Sequence, residues 1–313
     1  IVVNSSVVVA EQAAPTFNPH RVASVEIQYV TSGATYTVDI TIGATTHQAT
    51  YQTASGDGVD TILTDLKADI ERMDWSAEDS TYGPFYEDPN NPALETRFET
   101  PFTVTKLANS LEITSELAMD VHGAGGIDNL AMLVVEDEVG SVAGLPIKSV
   151  QDRTVKVVNT NSLADTYWAK FVAHDGVSGE GYWQETRDPG VSPGLDNSTL
   201  PHELINTAVD TFVFQEIYYE PRNVGDDTTN PHPSFQGEKI TAGFFHSNRL
   251  GFLSKDNVIL SQTGDFYNFY FKSAQTTIDS DPIDISCSST KPTALHSAMA
   301  TAQGVVLFSE YQQ

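Results

Sequence analysis

Sulfur and positive charge are scarce in this sequence. A single cysteine, Cys287, stands among 313 residues, so no disulfide can form within the chain and no redox compartment is implied. Lys and Arg number 16 against 42 Asp and Glu, a formal charge of −26. Neutralising phosphates takes clustered Lys and Arg, so a basic nucleic-acid groove is excluded. DNA near such a surface meets repulsion, not grip. The same acidity also serves plain solubility. No apolar run approaches the ~20 residues of a membrane helix, so no stable membrane insertion is expected. The eight histidines are scattered and form no H-x-x-x-H pair on an expected helix.

What is present is β pattern. Between Thr241 and Phe271, apolar and aromatic runs are cut by Asp/Asn/Gly pairs: Phe244-Phe245-His246 into Arg249-Leu250-Gly251-Phe252-Leu253, then Val258-Ile259-Leu260-Ser261, then Phe266 to Phe271. Short aromatic and β-branched runs with turn residues between them predict an antiparallel meander, which is also the unit of a propeller blade. Further strands are expected at 22–30, 36–42 and 47–53, then at 154–159, 167–173, 181–187, 211–214, 217–219 and 304–308. Phe102-Thr103-Val104 and Leu111 to Thr114 read as a closing hairpin. Ile62, Leu66, Ile70 and Met73 share one stripe, predicting a helix over 61–73 with Asp60 as its cap. Residues 75–101, acidic and proline-rich, are expected to be irregular. His202 to Ile205 reads as a short capped turn. Segments 131–135 and 294–302 fit either strand or helix. No period of 40 to 50 residues emerges.

Chemical motifs are weak. Gly190-Val191-Ser192-Pro193-Gly194 matches G-x-S-x-G, but the residue after the serine must supply an oxyanion N–H and Pro193 has none. His122-Gly123-Ala124-Gly125-Gly126 is only glycine-rich. Asp279, Asp281 and Asp284 offer carboxylates for a hard cation, without the glycine and terminal Glu of a calcium loop; local turn bonds account for them equally well. Glu136-Asp137-Glu138 reads as a solvated turn. Phe266 to Phe271 is either a stacking platform for a sugar or base, or core. The Asp-box signature of sialidase propellers is absent, and no carboxylate pair can be singled out for glycoside hydrolysis. No catalytic residue, cofactor or metal follows from these patterns.

Asn248-Arg249-Leu250-Gly251-Phe252-Leu253-Ser254, Asn257 to Ser261 and Phe266-Tyr267-Asn268-Phe269-Tyr270, followed by Asp281-Pro282-Ile283-Asp284-Ile285 and Ser288-Ser289, closely resemble the tail tubular protein B (nozzle) family of short-tailed podophages of the autographivirus type. Trp183 to Thr186, Thr199-Leu200-Pro201-His202-Glu203-Leu204-Ile205 and Asn230 to Phe235 fit the same family in the same order, with weaker similarity at Ile1 to Asn4.

The resemblance implies a mainly β chain, a partial β-propeller of antiparallel blade meanders with an inserted small α+β domain and an extra antiparallel β region. The expected divisions are 1–12 (end of a blade), 13–21 (linker), 22–116 (inserted domain), 117–200 (β region with a Pro/Gly-rich crossing) and 201–313 (blades). Because the chain starts at Ile1 and stops within an expected strand, it is expected to be a portion of a longer protein. The implied function is structural, not enzymatic. It is a virion tail nozzle, a homohexameric ring that retains DNA and passes it during ejection without specific binding, docks on the tail adaptor and contacts tail fibres. The family-motif residues Pro201, His202, Asn248, Arg249, Leu250, Phe252, Leu253, Ser261, Phe266, Asn268, Phe269, Asp281, Pro282 and Asp284 are expected to be structural. The alternative is a propeller that binds or depolymerises host-surface carbohydrate, which needs exposed aromatics over a carboxylate pair.

Overall fold

The computed structural model describes residues 1–72, 102–159, 166–287 and 294–309. The chain is mainly β, and its contacts divide it into two compact units, Asn18–Gln184 and Ile1–Phe17 with Glu185–Gln313.

The first unit opens with β1 (Val22–Ile27), β2 (Thr35–Ile42), β3 (Thr45–Gln52) and the helix α1 (Val59–Glu71). It continues with β4 (Phe102–Lys106), β5 (Ser110–Ser115), β6 (Asp120–Gly125) and β7 (Met132–Val135). One sheet has the order β4-β5-β1-β7 and another β3-β2-β6. Strand alternation sorts the side chains. Ala23, Val25 and Ile27 of β1, Leu111 and Ile113 of β5, and Tyr36, Val38 and Ile40 of β2 enter one apolar core. Ile62, Leu63, Leu66 and Ile70 of α1 join them there. The ambiguous 131–135 segment is therefore a strand, antiparallel to β1.

The expected helix is present, but its cap is different. Gly58 is the N-cap, and Asp60 lies one turn position inside, where its carboxylate accepts from Lys106 Nζ at 2.6 Å. No side chain caps the helix; Asp57, in the turn before it, accepts from Ala54 N–H and Tyr51 O–H at 2.6 and 2.8 Å. Those two bonds hold the Asp57 carboxyl below its ordinary pKa, with the Ala54 amide the stronger cause. Met73 and the 75–101 excursion lie outside the described residues.

The reverse face of β1 and β5 is polar yet buried. Ser24 and Glu112 point away from the apolar core, toward Ser149 of β9 (Lys148–Val150) and toward Arg153. A five-stranded sheet follows, made with β8 (Glu138–Val139), β10 (Thr154–Val157), β11 (Tyr167–Ala173) and β12 (Ser178–Thr186), in the order β8-β10-β11-β12-β9. The three strands expected at 154–159, 167–173 and 181–187 are its centre.

The second unit holds β13 (Glu203–Ala208) and β14 (Thr211–Gln215) as a two-stranded hairpin. It also holds β15 (Ala242–His246), β16 (Arg249–Ser254), β17 (Asn257–Leu260) and β18 (Ile283–Ser286) as a four-stranded antiparallel sheet in chain order. A last hairpin joins β19 (Leu295–Thr301) and β20 (Gly304–Ser309), so the ambiguous 294–302 segment is a strand. Of residues 202–205, expected as a turn, Glu203 to Ile205 open β13 and His202 makes an isolated bridge. Ile1 to Ala10 makes only isolated bridges, Val2 with His202, Val8 with Lys239 and Val9 with Gln236.

Two expected strands are not strands. Ile217 to Tyr219 is irregular. Phe266 to Phe271 is irregular after a turn at 266–267, and the strand that completes the meander comes later, at β18. Side-chain amides explain the second case, because they supply bonds that a neighbouring strand would otherwise make. Asn268 Oδ1 accepts from Tyr270 N–H at 2.9 Å. Asn230 accepts from Phe271 N–H at 2.9 Å and donates to Phe271 C=O at 3.2 Å.

Candidate functional site

Asn248 to Leu253 of the motif lie on the β15–β16 turn and β16, and the remaining motif residues lie beyond β17, on β18 and just before β13. Ser247 and Asn248 both have positive φ, 48° and 58°, the pair of left-handed residues that a two-residue hairpin turn with matching twist requires. This turn delivers Arg249 into the interior, where it is 6% exposed. Its guanidinium donates to three backbone carbonyls, those of Ser261 at 2.7 Å, Asp281 at 2.6 Å and Asp279 at 2.8 Å. One side chain thus ties the end of β17 to the loop entering β18. No carboxylate lies within ion-pair distance of it among the described residues.

Ser261 is fully buried, accepts from Leu250 N–H at 3.0 Å and donates to Gln262 C=O at 3.1 Å. Leu250, Phe252, Leu253, Asn268, Phe269 and Asp281 are buried. Phe266 is half-buried and meets Phe245 edge-on at 5.4 Å. Phe252 and Phe269 stack at 5.4 Å and 20°, and Phe235 meets both edge-on at 5.9 and 5.5 Å. Offset and edge-on contacts at such separations are the favoured aromatic geometries. With Phe269 and Tyr270 buried, this run is not an open stacking platform.

The three aspartates have separate duties. Asp281 accepts from Ile278 N–H at 2.8 Å, Asp284 accepts from Ser234 N–H and Oγ–H at 2.7 Å each, and Asp279 contributes its carbonyl to Arg249. Pro282, half-buried, separates the Arg249 anchor from β18. Asp284 lies on β18 and is exposed. No group of three metal-ligating side chains occurs among the described residues.

A second strap uses a residue that sequence reasoning passed over. Arg222 is 1% exposed and reaches Ser192 C=O at 2.8 Å, Asn230 C=O at 3.1 Å and the Asp227 carboxylate at 2.7 Å. The G-x-S-x-G serine is part of this knot. Ser192 Oγ exchanges bonds with the Gly194 backbone at 3.1 and 3.3 Å, and Pro193 C=O accepts from Arg222 N–H at 2.7 Å. Ser192 is committed to a turn, with no strand-to-helix elbow around it. The signal that could have marked Arg222 was its rarity, a lone cation between Pro201 and Asn230 in an acidic stretch.

Nearby, His232 Nδ1 lies 2.7 Å from Tyr270 Oη, and Nε2 lies 3.0 Å from Glu11 without hydrogen-bond geometry. Burial, then the Arg222 charge, push the His232 pKa below its ordinary value, against the opposing pull of Glu11. Burial likewise raises the Tyr270 and Tyr219 hydroxyls. Tyr219 donates to Pro201 C=O at 2.9 Å, and His202 stacks on Phe214 at 5.1 Å and 15°. Pro201 and His202 therefore form the root of the β13–β14 hairpin. The arrangement has straps, stacks and turns, and its chemistry is that of holding a shape.

Comparison with known proteins agrees with that character. Tail tubular protein gp12 of Escherichia phage T7 is 34% identical over 174 residues, 55% of this chain and 21% of that protein. The match thus spans about a fifth of the relative's length. The family described as bacteriophage nozzle protein matches residues 1–313, and the chain belongs to the bacteriophage nozzle protein family.

Proposed function

We propose that this chain is part of the nozzle at the distal end of a short phage tail, a virion structural component and not an enzyme. The observation that carries the reading is the family match along all 313 residues. The interior supports it. Arg222 and Arg249, both buried, are spent on backbone carbonyls and loops. A wall that guides a polyanion without binding it should be acidic, and the formal charge is −26.

The finer architecture follows the same reading. The β15–β18 sheet, four antiparallel strands in chain order, is one propeller blade, held in form by Arg249, Ser261 and the Phe235–Phe252–Phe269 stack. The family-motif residues act structurally, within this sheet and the loops around it and, for Pro201 and His202, at the root of the β13–β14 hairpin. The α+β segment 22–116, with the β region after it, serves as a peripheral platform or partner contact. Six copies surround a channel, dock on the adaptor ring and meet the tail fibres, and DNA crosses without specific binding.

Electron microscopy of the complete protein mixed with the adaptor ring tests this. A six-fold ring with an axial hole is expected. Monomers that ignore the adaptor would sink the reading.

A further inference from the structure

We propose that the β13–β14 hairpin is a self-association element, in which β14 of one copy adds to the open edge of β13 of a second copy of this chain. The inference deepens the ring reading above and rests on it for closure of the ring.

Every residue of both strands is exposed except Glu203, which is half-exposed. Apolar side chains stand exposed on both faces. Leu204, Phe212 and Phe214 lie on one face, Ile205 and Val213 on the other, and Val209 sits at the tip with 90% exposure. A lone two-stranded ribbon is marginal in water, and an apolar patch of this kind marks an interaction surface. No third strand pairs with β13 or β14 among the described residues. Neither strand carries the Lys or Pro that guards natural sheet edges.

Charge selects the partner. Between residues 201 and 221 there are Glu203, Asp210, Glu216 and Glu220, and no Lys or Arg, so nucleic acid and anionic lipid are repelled. A copy of equal charge is also repelled over most of its surface, but the hairpin offers a neutral approach. Thr211 to Gln215 carries no charge. Within the chain, the one charged residue of β13, Glu203, lies opposite Gln215 and accepts from its Nε2 at 2.8 Å. Pairing β14 with β13 of a second copy in that register repeats the Glu203–Gln215 pair. It also sets Leu204 of the second copy beside Phe214, and Ile205 beside Val213. A two-fold pairing of β14 with itself about Val213 is disfavoured, because it brings Asp210 opposite Glu216 at each end. Val2 bridges β13 only at its root, through His202, so residues 203–208 stay open. The head-to-tail arrangement can repeat around a closed ring.

The test mixes two single-substitution variants of the complete protein, Ile205→Cys and Val213→Cys, with the adaptor under mild oxidation. Linked peptides are identified by mass spectrometry, and Cys287 is retained. A 205–213 link between copies is expected, at least tenfold above any 205–205 or 213–213 link in either variant alone. Self-links equal to or above the mixed link overturn the proposal. So does the absence of the mixed link, whether the rings form, in which case something else covers the hairpin, or fail to form. The mixed link without six-fold rings in the microscope supports the hairpin pairing and sinks the ring reading.

Discussion

Both units bury arginine, and they do so in opposite ways. In the unit spanning Asn18–Gln184, Arg153 faces a carboxylate. It lies 3.1 Å from Glu112 with both side chains 1% exposed, and Glu112 also accepts from Ser149 at 3.0 Å and Ser24 at 3.2 Å. Arg153 also bonds Ser24 and donates to Val135 C=O at 2.7 Å. Burial lowers the Arg153 pKa, and Glu112 opposes that effect. In the other unit, Arg249 meets only carbonyls among the described residues, and the carboxylate beside Arg222 is itself 70% exposed. The first arrangement is a charge pair that joins β1, β5 and β9. The second is a set of clamps on loops. A buried pair is costly to break from one side, because it leaves an uncompensated charge. A carbonyl clamp leaves behind only neutral acceptors.

That contrast sets the largest expected effect. Glu112→Ala should destabilise its unit by about 3–5 kcal/mol, and the double variant Glu112→Leu with Arg153→Met should recover most of the loss, since apolar replacement of a buried pair is often neutral. Denaturant unfolding of the three proteins checks this. A double variant as unstable as the single one would mean that the charges stabilise in their own right.

Phe252→Ala and Phe269→Ala should each cost on the order of 3–5 kcal/mol, because they remove rings from a fully buried stack. Losses below about 1 kcal/mol would place the rings at a surface. Arg249→Met keeps the bulk and removes the donors. It should cost about 1–3 kcal/mol, less than Glu112→Ala in the same assay. The reverse order would break the comparison.

A smaller effect is one of pH. The folded pKa of His232 lies below its ordinary 6.5, so the unfolded chain binds the proton more readily. Its contribution to stability is fully present above pH 6.5 and is lost as pH falls toward the folded value. His232→Gln should flatten the stability–pH curve by up to about one proton of slope in that window. An unchanged curve would mean that His232 titrates as it does in water. The smallest effect belongs to the hairpin, where Phe212→Ser should change stability by under about 0.5 kcal/mol.

Much of the architecture was legible in the sequence because strand and helix periods differ. Alternation located β1, β2 and β3, the β4–β5 hairpin and the centre of the five-stranded sheet, and the stripe of Ile62, Leu66 and Ile70 located α1. The turn residues Lys255-Asp256-Asn257 marked the β16–β17 connection, whereas the left-handed pair Ser247-Asn248 was seen only in the structure. Where a segment is shaped by bonds to distant residues, period misled. The aromatic run 266–271 has strand composition, yet amides at Asn230 and Asn268 turn it. Asp60 had the right residue type for a cap, but Gly58 began the helix and Lys106 claimed the carboxylate.

The sequence by itself determined the β-rich class, the acidity that excludes a phosphate-binding groove, and the family, because ordered motifs and charge are properties of the chain as written. Only the tertiary structure decided what each buried polar group faces. Glu112 and Arg153 are separated by four strands, β6 to β9, and Arg249 finds its acceptors at Ser261, Asp279 and Asp281. Local period says which face a side chain takes. The partner across that face is fixed by the packing of elements distant in sequence.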